Sequence, residues 1–404
     1  MEIFKRRRIL MLNFEYPPIG GGAATANYHL LDELAGDDEV RVVLVTSSSG
    51  PRPEVYRQAS NITVIRLNVG KRDPHFWRIM EIFRWSWQAY WVCRRLLRKQ
   101  EFHLCHCWFG WPAGIIGFLL RGKVPYIVSL RGSDVPGYNE RLGALDRLVL
   151  PVLSRQVWHR AMAVTANSRE LKRLSGKTSE MRNMQVICNG VDIRRFRPGP
   201  PHPGRGVRLL FVGRLIRRKG LCYLLEAVRT LVAEKRACTL QIAGGGPEME
   251  RLRRFCEVHH LQDHVRFLGN VDRRHIPAIY RQADILVLPS LEESLANVML
   301  EAMASGLPVI TTRTGAAELV NGNGFVVPKE DSAALKEAIT AYLEDPGLLA
   351  LHGRQSRHLA KLMSWRAAAK AYLGLYAEHG RPPTAAAAPE MNQGGGIRHA
   401  MASR

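Results

Sequence analysis

Residues 283–314, ADILVLPSLEESLANVMLEAMASGLPVITTRT, decide the fold class of this chain. ADILVLPS and PVITTRT are short Val-, Ile- and Leu-rich runs, and the stretch between them has helical periodicity. Strand, helix and strand in that order make a βαβ unit, whose two strands are parallel and buried. One residue does not suit a buried helix. Glu301 stands among Val298, Met299, Leu300, Ala302 and Met303, about two turns inside the expected helix. A carboxylate there is costly unless something pairs with it. Glu292 and Glu293 need no special account, because acids near a helix start complement its dipole.

The same alternation extends in both directions. RILMLNF, VRVVLVTS, ITVIRL, FHLCHCWF, VPYIVSL, MAVTANS and MQVICNG are candidate strands in the first half. VRLLFVGRL, CTLQIAGGG and VRFLGNV join the two above in the second half. Separated by longer amphipathic pieces, they read as an α/β chain with parallel sheets. RFRPGPPHPGRG, at 195–206, interrupts the rhythm with four prolines and three glycines and reads as a linker. The expected organisation is a domain at 1–195, a linker at 196–206 and a second domain at 207–363, both doubly wound and Rossmann-like. They would face each other across a deep cleft, with ligands at the carboxyl ends of the strands. The low-complexity segment 379–404 is expected to be a disordered tail.

A chain of 404 residues has room for two or three cored domains, and its 46% hydrophobic content is that of a soluble globular protein. No apolar run reaches the length of a membrane span. ILML near the N-terminus is stopped by Asn13, too early for a signal peptide. Seven scattered cysteines without a CxxC pair fit a reducing compartment, so the protein is expected in the cytoplasm. HLCHCW, His103–Trp108, brings His and Cys together, but it reads as strand alternation rather than zinc spacing. The net charge of +22 calls for an anionic partner: nucleic acid, phospholipid or a phosphorylated substrate. No zinc finger or RNA-binding aromatic signature accompanies it, so nucleic acid is not expected.

Three glycine-rich elements each follow a strand and open a helix. PPIGGGAATANYHL carries Gly20, Gly21 and Gly22, and IAGGGPEMERL carries Gly244, Gly245 and Gly246. Glycine lets backbone approach a ligand, and a helix start presents N–H groups to an anion. Neither matches a dinucleotide or P-loop fingerprint, and tight βα turns account for them equally well. FVGRLIRRKG is more pointed, because Arg214 and Lys219 at a strand end can neutralise a departing diphosphate.

In order along the chain stand EYPPIGGGAA, HCWFGWPAG, RGSDVPG, TANSREL, CNGVDIRRFRP, VGRLIRRKG, IAGGGPEMERL and PSLEESLANVMLEAMASGLPVI. By this ordered set, covering about the first 378 positions, the chain resembles the family 4, group 1 glycosyltransferases of GT-B fold. The resemblance implies that Glu301 binds the ribose hydroxyls of a sugar nucleotide and that Glu293 lies near the donor sugar. It implies backbone contacts to diphosphate or sugar around Ser294, Leu295, Ala296 and Asn297. Arg214 and Lys219 match the diphosphate-binding pair, Gly21 and Gly22 the N-domain phosphate loop, and no metal or other cofactor is required. The final helix, residues 364–378, resembles the segment that crosses back to the N-terminal domain. Where many members carry His, this chain has Arg131, followed by Gly132 and Asp134, so Arg131 and Asp134 join Glu293 as catalytic candidates. Ser294 and Ala296 stand where glycines are frequent, and Gly245 where Asp is common.

The function so implied is retaining transfer of a hexose or N-acetylhexosamine from a nucleoside diphosphate to an acceptor hydroxyl. The acceptor would be a polysaccharide or a lipid-linked molecule of cell-envelope or extracellular polysaccharide synthesis. A sugar-nucleotide epimerase and a non-catalytic sugar-nucleotide-binding protein are the rival readings. The segment 71–100, KRDPHFWRIMEIFRWSWQAYWVCRRLLRKQ, has eight Lys or Arg against two acids. Its apolar residues at 76, 79, 80, 83, 87, 90 and 91 follow helical spacing and are expected to be the buried stripe of a core helix. Trp85 and the arginines at 78, 84, 94, 95 and 98 do not fit one buried side. They suit a headgroup region, which adds an anionic membrane surface as a partner and a peripheral place on its cytoplasmic face.

Overall fold

The computed structural model describes residues 6–380 except 72, 74, 75, 139–148, 182, 183, 201–205, 294 and 295. The segment 381–404 of the expected tail, and part of the expected linker, lie outside the described residues. The chain divides into two units, one running to Cys188 and resuming at Ala368, the other Asn189–Ala367. Residues 189–195 therefore pack with the second unit. The Val191 N–H donates to the Met363 carbonyl at 3.0 Å, and the Arg357 guanidinium donates to the Ile193 carbonyl at 3.0 Å.

The first unit contains β1 (Arg7–Leu12), α1 (Gly22–Glu33), β2 (Val40–Ser48), β3 (Glu54–Ala59), β4 (Ile62–Asn68) and α2 (Ile79–Lys99). It continues with β5 (Leu104–Trp108), α3 (Ala113–Leu120), β6 (Tyr126–Leu130), α4 (Leu150–His159), β7 (Ala163–Ala166), α5 (Arg169–Gly176) and β8 (Gln185–Val186). Its sheet runs β3-β4-β2-β1-β5-β6-β7-β8. The expected strands are present and parallel. β3 was not anticipated and pairs antiparallel with β4, as a half-exposed edge strand without a continuous apolar run. β5 and β6 are buried along their whole length, as befits central parallel strands.

The second unit contains β9 (Val207–Val212), α6 (Leu221–Ala233), β10 (Cys238–Ala243), α7 (Met249–Val258), β11 (Val265–Gly269) and α8 (Ile276–Arg281). β12 (Ile285–Leu288), α9 (Asn297–Ala304), β13 (Val309–Thr312), β14 (Gly324–Val327), α10 (Ser332–Glu344) and α11 (Pro346–Leu362) follow. The sheet order is β11-β10-β9-β12-β13-β14, all parallel. Only the four-residue β14 escaped the sequence reading. Leu209, Phe211, Leu224, Val228, Ile242 and Val287 form its core. Asp331 and Asp345 cap α10 and α11 by accepting the N–H of Ala334 and Leu348. α12 (Trp365–His379) starts in the second unit and finishes in the first.

In each sheet the winding reverses once, between β1 and β5 and between β9 and β12. At such a point the connections to either side lie on opposite faces of the sheet, and ligand sites form at the carboxyl ends of the strands.

α2 reverses one expectation. Its buried residues are Glu81, Trp85, Ala89, Cys93 and Leu96. The apolar stripe expected in the core is on the outside, with Met80 and Phe83 at 64% exposure and Trp87 at 68%, while Trp85 is at 0%. Glu81 is accommodated because it accepts the Arg78 N–H at 3.0 Å and pairs with the Lys71 ammonium at 2.8 Å. Among the described residues no helix is long and apolar enough to cross a membrane.

Candidate active site

At the reversal point of the second unit, the loops after β9 and β12 run side by side. The Leu291 N–H donates to the Arg218 carbonyl at 2.8 Å. Arg217–Lys219 make one 3-10 turn, closed by Gly220 in the left-handed region at φ 62°. A Cβ on Gly220 would lie 2.0 Å from the Pro289 carbonyl oxygen, so only glycine lets the loops approach this closely. Their reward is an ion pair: the Lys219 ammonium donates to Glu293, with both side chains largely shielded. The Gly315 N–H holds the Glu293 carbonyl at 2.8 Å from the far side. Arg214, two residues past β9, is exposed at the rim of the same loop.

Ser294 and Leu295 lie outside the described residues. α9 begins at Asn297 with Ala296 as its N-cap, so Glu301 lies one turn inside the helix rather than two. The answer to its odd setting is Tyr280 of α8, whose hydroxyl donates to Glu301 Oε2 at 2.9 Å. Burial pushes the Glu301 carboxyl up to about 7, opposed by that hydrogen bond and by the charges of Arg273 and Arg195. The folded protein thus favours the protonated form, and it loses stability as the pH rises from the ordinary carboxylate range to about 7. Asn297 Oδ1 accepts from the Asn189 amide at 2.7 Å. Tyr280 left no mark in the sequence, whereas Asn189 lies within CNGVD.

The Gly244–Gly246 loop has a packing explanation. A Cβ on Gly244 would sit 1.9 Å from the Gly213 carbonyl oxygen, and one on Gly246 2.4 Å from that of Leu215. These glycines let the loops after β9 and β10 stack backbone on backbone. Gly21 differs. It is the N-cap of α1, with Gly22 the first helical residue, and nothing lies within 4 Å of a Cβ built on it.

In the first unit, Asp134 and Arg131 are held by internal contacts. Asp134 Oδ1 accepts the N–H groups of Arg131 and Gly132, both at 2.9 Å, and Oδ2 accepts that of Gly110 at 2.6 Å. It staples the loop after β6 to the loop after β5. Burial pushes its carboxyl up, and these backbone donors oppose the rise. The Arg131 guanidinium stacks 3.5 Å from the Trp108 ring centroid and donates to the Tyr372 hydroxyl of α12 at 2.8 Å. Both side chains are buried, Arg131 at 8% exposure and Asp134 at 3%. His106 completes the cluster, with Nδ1 2.8 Å from the Tyr376 hydroxyl and Nε2 2.8 Å from Ser129 Oγ. Burial holds its pKa well below the ordinary histidine range, so the ring is neutral. His103 Nδ1 accepts the Arg8 N–H at 2.8 Å, so the HLCHCW histidines serve the fold. Among the described residues, no three His, Cys, Asp or Glu side chains converge as metal ligands would.

Comparison with known proteins decides what this arrangement belongs to. Residues 20–195 match the sequence profile described as Glycosyltransferase Family 4, and residues 206–345 that of Glycosyl transferases group 1. The D-inositol 3-phosphate glycosyltransferase of Saccharomonospora viridis is 31% identical over 425 residues, spanning 92% of this chain and 94% of its own. The chain belongs to the group 1, family 4 glycosyltransferases. The glycogen synthase of Mycobacterium tuberculosis is 28% identical over 391 residues, spanning 91% of this chain and 94% of its own. The fold resembles that of sucrose-phosphate synthase from Thermosynechococcus elongatus, with a TM-score of 0.79 at 22% identity, covering 92% of this glycosyltransferase and 99% of that chain. This glycosyltransferase is therefore a hexosyltransferase by family, built on GT-B-type α/β units.

The Asp134 staple generates a prediction for this glycosyltransferase. Asp134→Ala leaves the N–H groups of Gly110, Arg131 and Gly132 without their acceptor, at a cost of about 3 kcal/mol. Urea unfolding should register this loss; a midpoint equal to that of the parent protein would show that the staple does not hold the loops.

Proposed function

We propose that this glycosyltransferase moves a hexose or N-acetylhexosamine from a nucleoside diphosphate to an acceptor hydroxyl with retention of configuration. The observation that carries the reading is the Lys219–Glu293 pair at the β9/β12 reversal, with Glu301 one turn into the next helix. Cations stabilise a departing diphosphate by meeting the charge that develops on it. Lys219 and Arg214 supply that charge, assisted by backbone N–H groups around Ser294, Leu295, Ala296 and Asn297 at the start of α9. Gly21 and Gly22 are the phosphate loop of the first unit, and at Gly21 nothing lies within 4 Å of an added Cβ to hinder the approach of an anion.

Glu293 positions the sugar and stabilises positive charge on it; leaving group and acceptor use the same face, and no covalent intermediate forms on the carboxylate. Glu301 accepts the ribose hydroxyls, with Tyr280 orienting it. Arg131 and Asp134 shape the acceptor-side loops after β5 and β6. With lysine and arginine at the diphosphate, no metal is required. The acceptor is a polysaccharide or lipid-linked molecule of cell-envelope or extracellular polysaccharide synthesis, met at an anionic membrane surface.

Lys219→Ala should lower kcat roughly a hundredfold, as loss of one preorganised charge at a leaving group does, with folding retained. Activity within a few-fold of the parent enzyme would remove Lys219 from the diphosphate site. Turnover should also persist in EDTA, and a strict magnesium or manganese requirement would contradict the cationic clamp.

The raised Glu301 pKa sets a pH dependence. Ribose hydroxyls donate to the carboxylate, so binding favours the ionised form. Affinity for whichever of UDP-, GDP- or ADP-glucose binds should therefore rise as the pH passes upward through about 7. Glu301→Gln should weaken binding and flatten this rise. An unchanged pH profile in the variant would assign the ribose to another residue.

A further inference from the structure

The exposed face of α2 has no counterpart in the transferase chemistry. Phe76, Ile79, Met80, Phe83, Trp87 and Trp91 are between 40% and 68% exposed, although they are the most apolar residues of the segment. At 100° per residue the stripe covers an arc of about 120°, opposite the buried face of Glu81, Trp85, Ala89, Cys93 and Leu96. From Ile79 to Trp91 it runs about 18 Å along the helix. Trp87 and Trp91 pack edge to face, with ring centroids 5.8 Å apart, and Arg94 lies 5.3 Å from the centroid of Trp91. Arg78 stands at the N-terminal end of the stripe, Arg84 along its side, and Arg94 and Arg98 at its C-terminal end.

Contiguous exposed apolar surface on a soluble protein marks a docking site. The composition selects the occupant. Tryptophan and arginine together suit the boundary between lipid headgroups and acyl chains, where an indole is half solvated and a guanidinium meets phosphate. Tryptophan and arginine also serve protein interfaces, but the arginines along the stripe and the net charge of +22 select an anionic surface.

We infer that the Phe76–Trp91 face of α2 is a membrane-docking surface, lying in the plane of an anionic bilayer with its aromatic stripe inserted and its arginines on the headgroup phosphates. This deepens the membrane partner proposed above by naming the surface that meets it. Insertion and electrostatics have separate signatures. Apolar insertion resists salt, whereas attraction of arginine to anionic lipid falls off as ionic strength shortens the screening length.

The test is co-sedimentation with vesicles of phosphatidylglycerol and phosphatidylcholine, compared with vesicles of phosphatidylcholine alone. The full chain should bind the anionic vesicles and leave the neutral ones at least tenfold weaker. Phe83→Ser, Trp87→Ser and Trp91→Ser combined should reduce binding more than tenfold at any salt concentration. Arg78→Gln, Arg84→Gln and Arg94→Gln combined should reduce it at physiological salt and recover it at low salt. All six positions are at the surface, so melting temperature and sugar-nucleotide binding should stay as in the parent protein. The latter readout separates failure of docking from failure of the transferase reading. Absence of vesicle binding, or binding indifferent to the aromatic substitutions, would overturn the inference. So would a parent protein that self-associates in solution through the stripe and becomes monomeric in the serine variant.

Discussion

The pairing of β9 with β12, two strands far apart in sequence and parallel in the sheet, is the constraint on which the second unit depends. Leu209 and Leu210 align with Ile285 and Leu286. Arg208 locks the start of the ladder, its guanidinium pairing with Asp284 at 2.8 Å. A parallel pair cannot be closed by a tight turn, so each strand leads into a helix of its own. Because β10 and β12 lie on opposite sides of β9, the loops after β9 and β12 meet where the winding reverses. Lys219 and Glu293 are 74 positions apart and pair only because of that order. Gly220 sets their spacing, since any side chain there collides with Pro289.

The first unit follows the same plan but handles its polar groups differently. There β5, β6 and the loop after β6 carry His106, Trp108, Ser129 and Arg131, and α12 delivers Tyr376 to His106 and Tyr372 to Ser129 and Arg131. A buried guanidinium without partners would be prohibitive; a ring face and a phenol hydroxyl make it tolerable. Asp134 does for backbone what Tyr372 does for Arg131, accepting N–H groups from two loops. The charged residues of this motif thus hold the loops after β5 and β6 together. Glu301 is a different case, a half-buried acid with the Tyr280 hydroxyl as its donor and a raised pKa.

Most strands were legible because buried parallel strands are uninterrupted runs of Val, Ile and Leu, a signal few other structures produce. β3 and β14 escaped it, one as a half-exposed edge strand and the other as a four-residue strand with exposed positions. The order of motifs was enough to name the family. The helix start at Asn297 was misplaced by a turn because Ala296 provides no side-chain cap to mark it.

The sequence by itself determined the α/β class, the division into two units and the family. Those are written in composition, in periodicity and in local motifs, which need no knowledge of what lies opposite. Only the tertiary structure decided which groups face one another. Tyr280 beside Glu301, Tyr372 on Arg131 and the three N–H groups on Asp134 join segments whose separation carries no pattern. It also decided the orientation of α2. Periodicity shows that a helix has an apolar stripe, but the direction it faces depends on the sheet it packs against. There the sheet took Trp85, Ala89 and Cys93 and left Phe83, Trp87 and Trp91 to the outside.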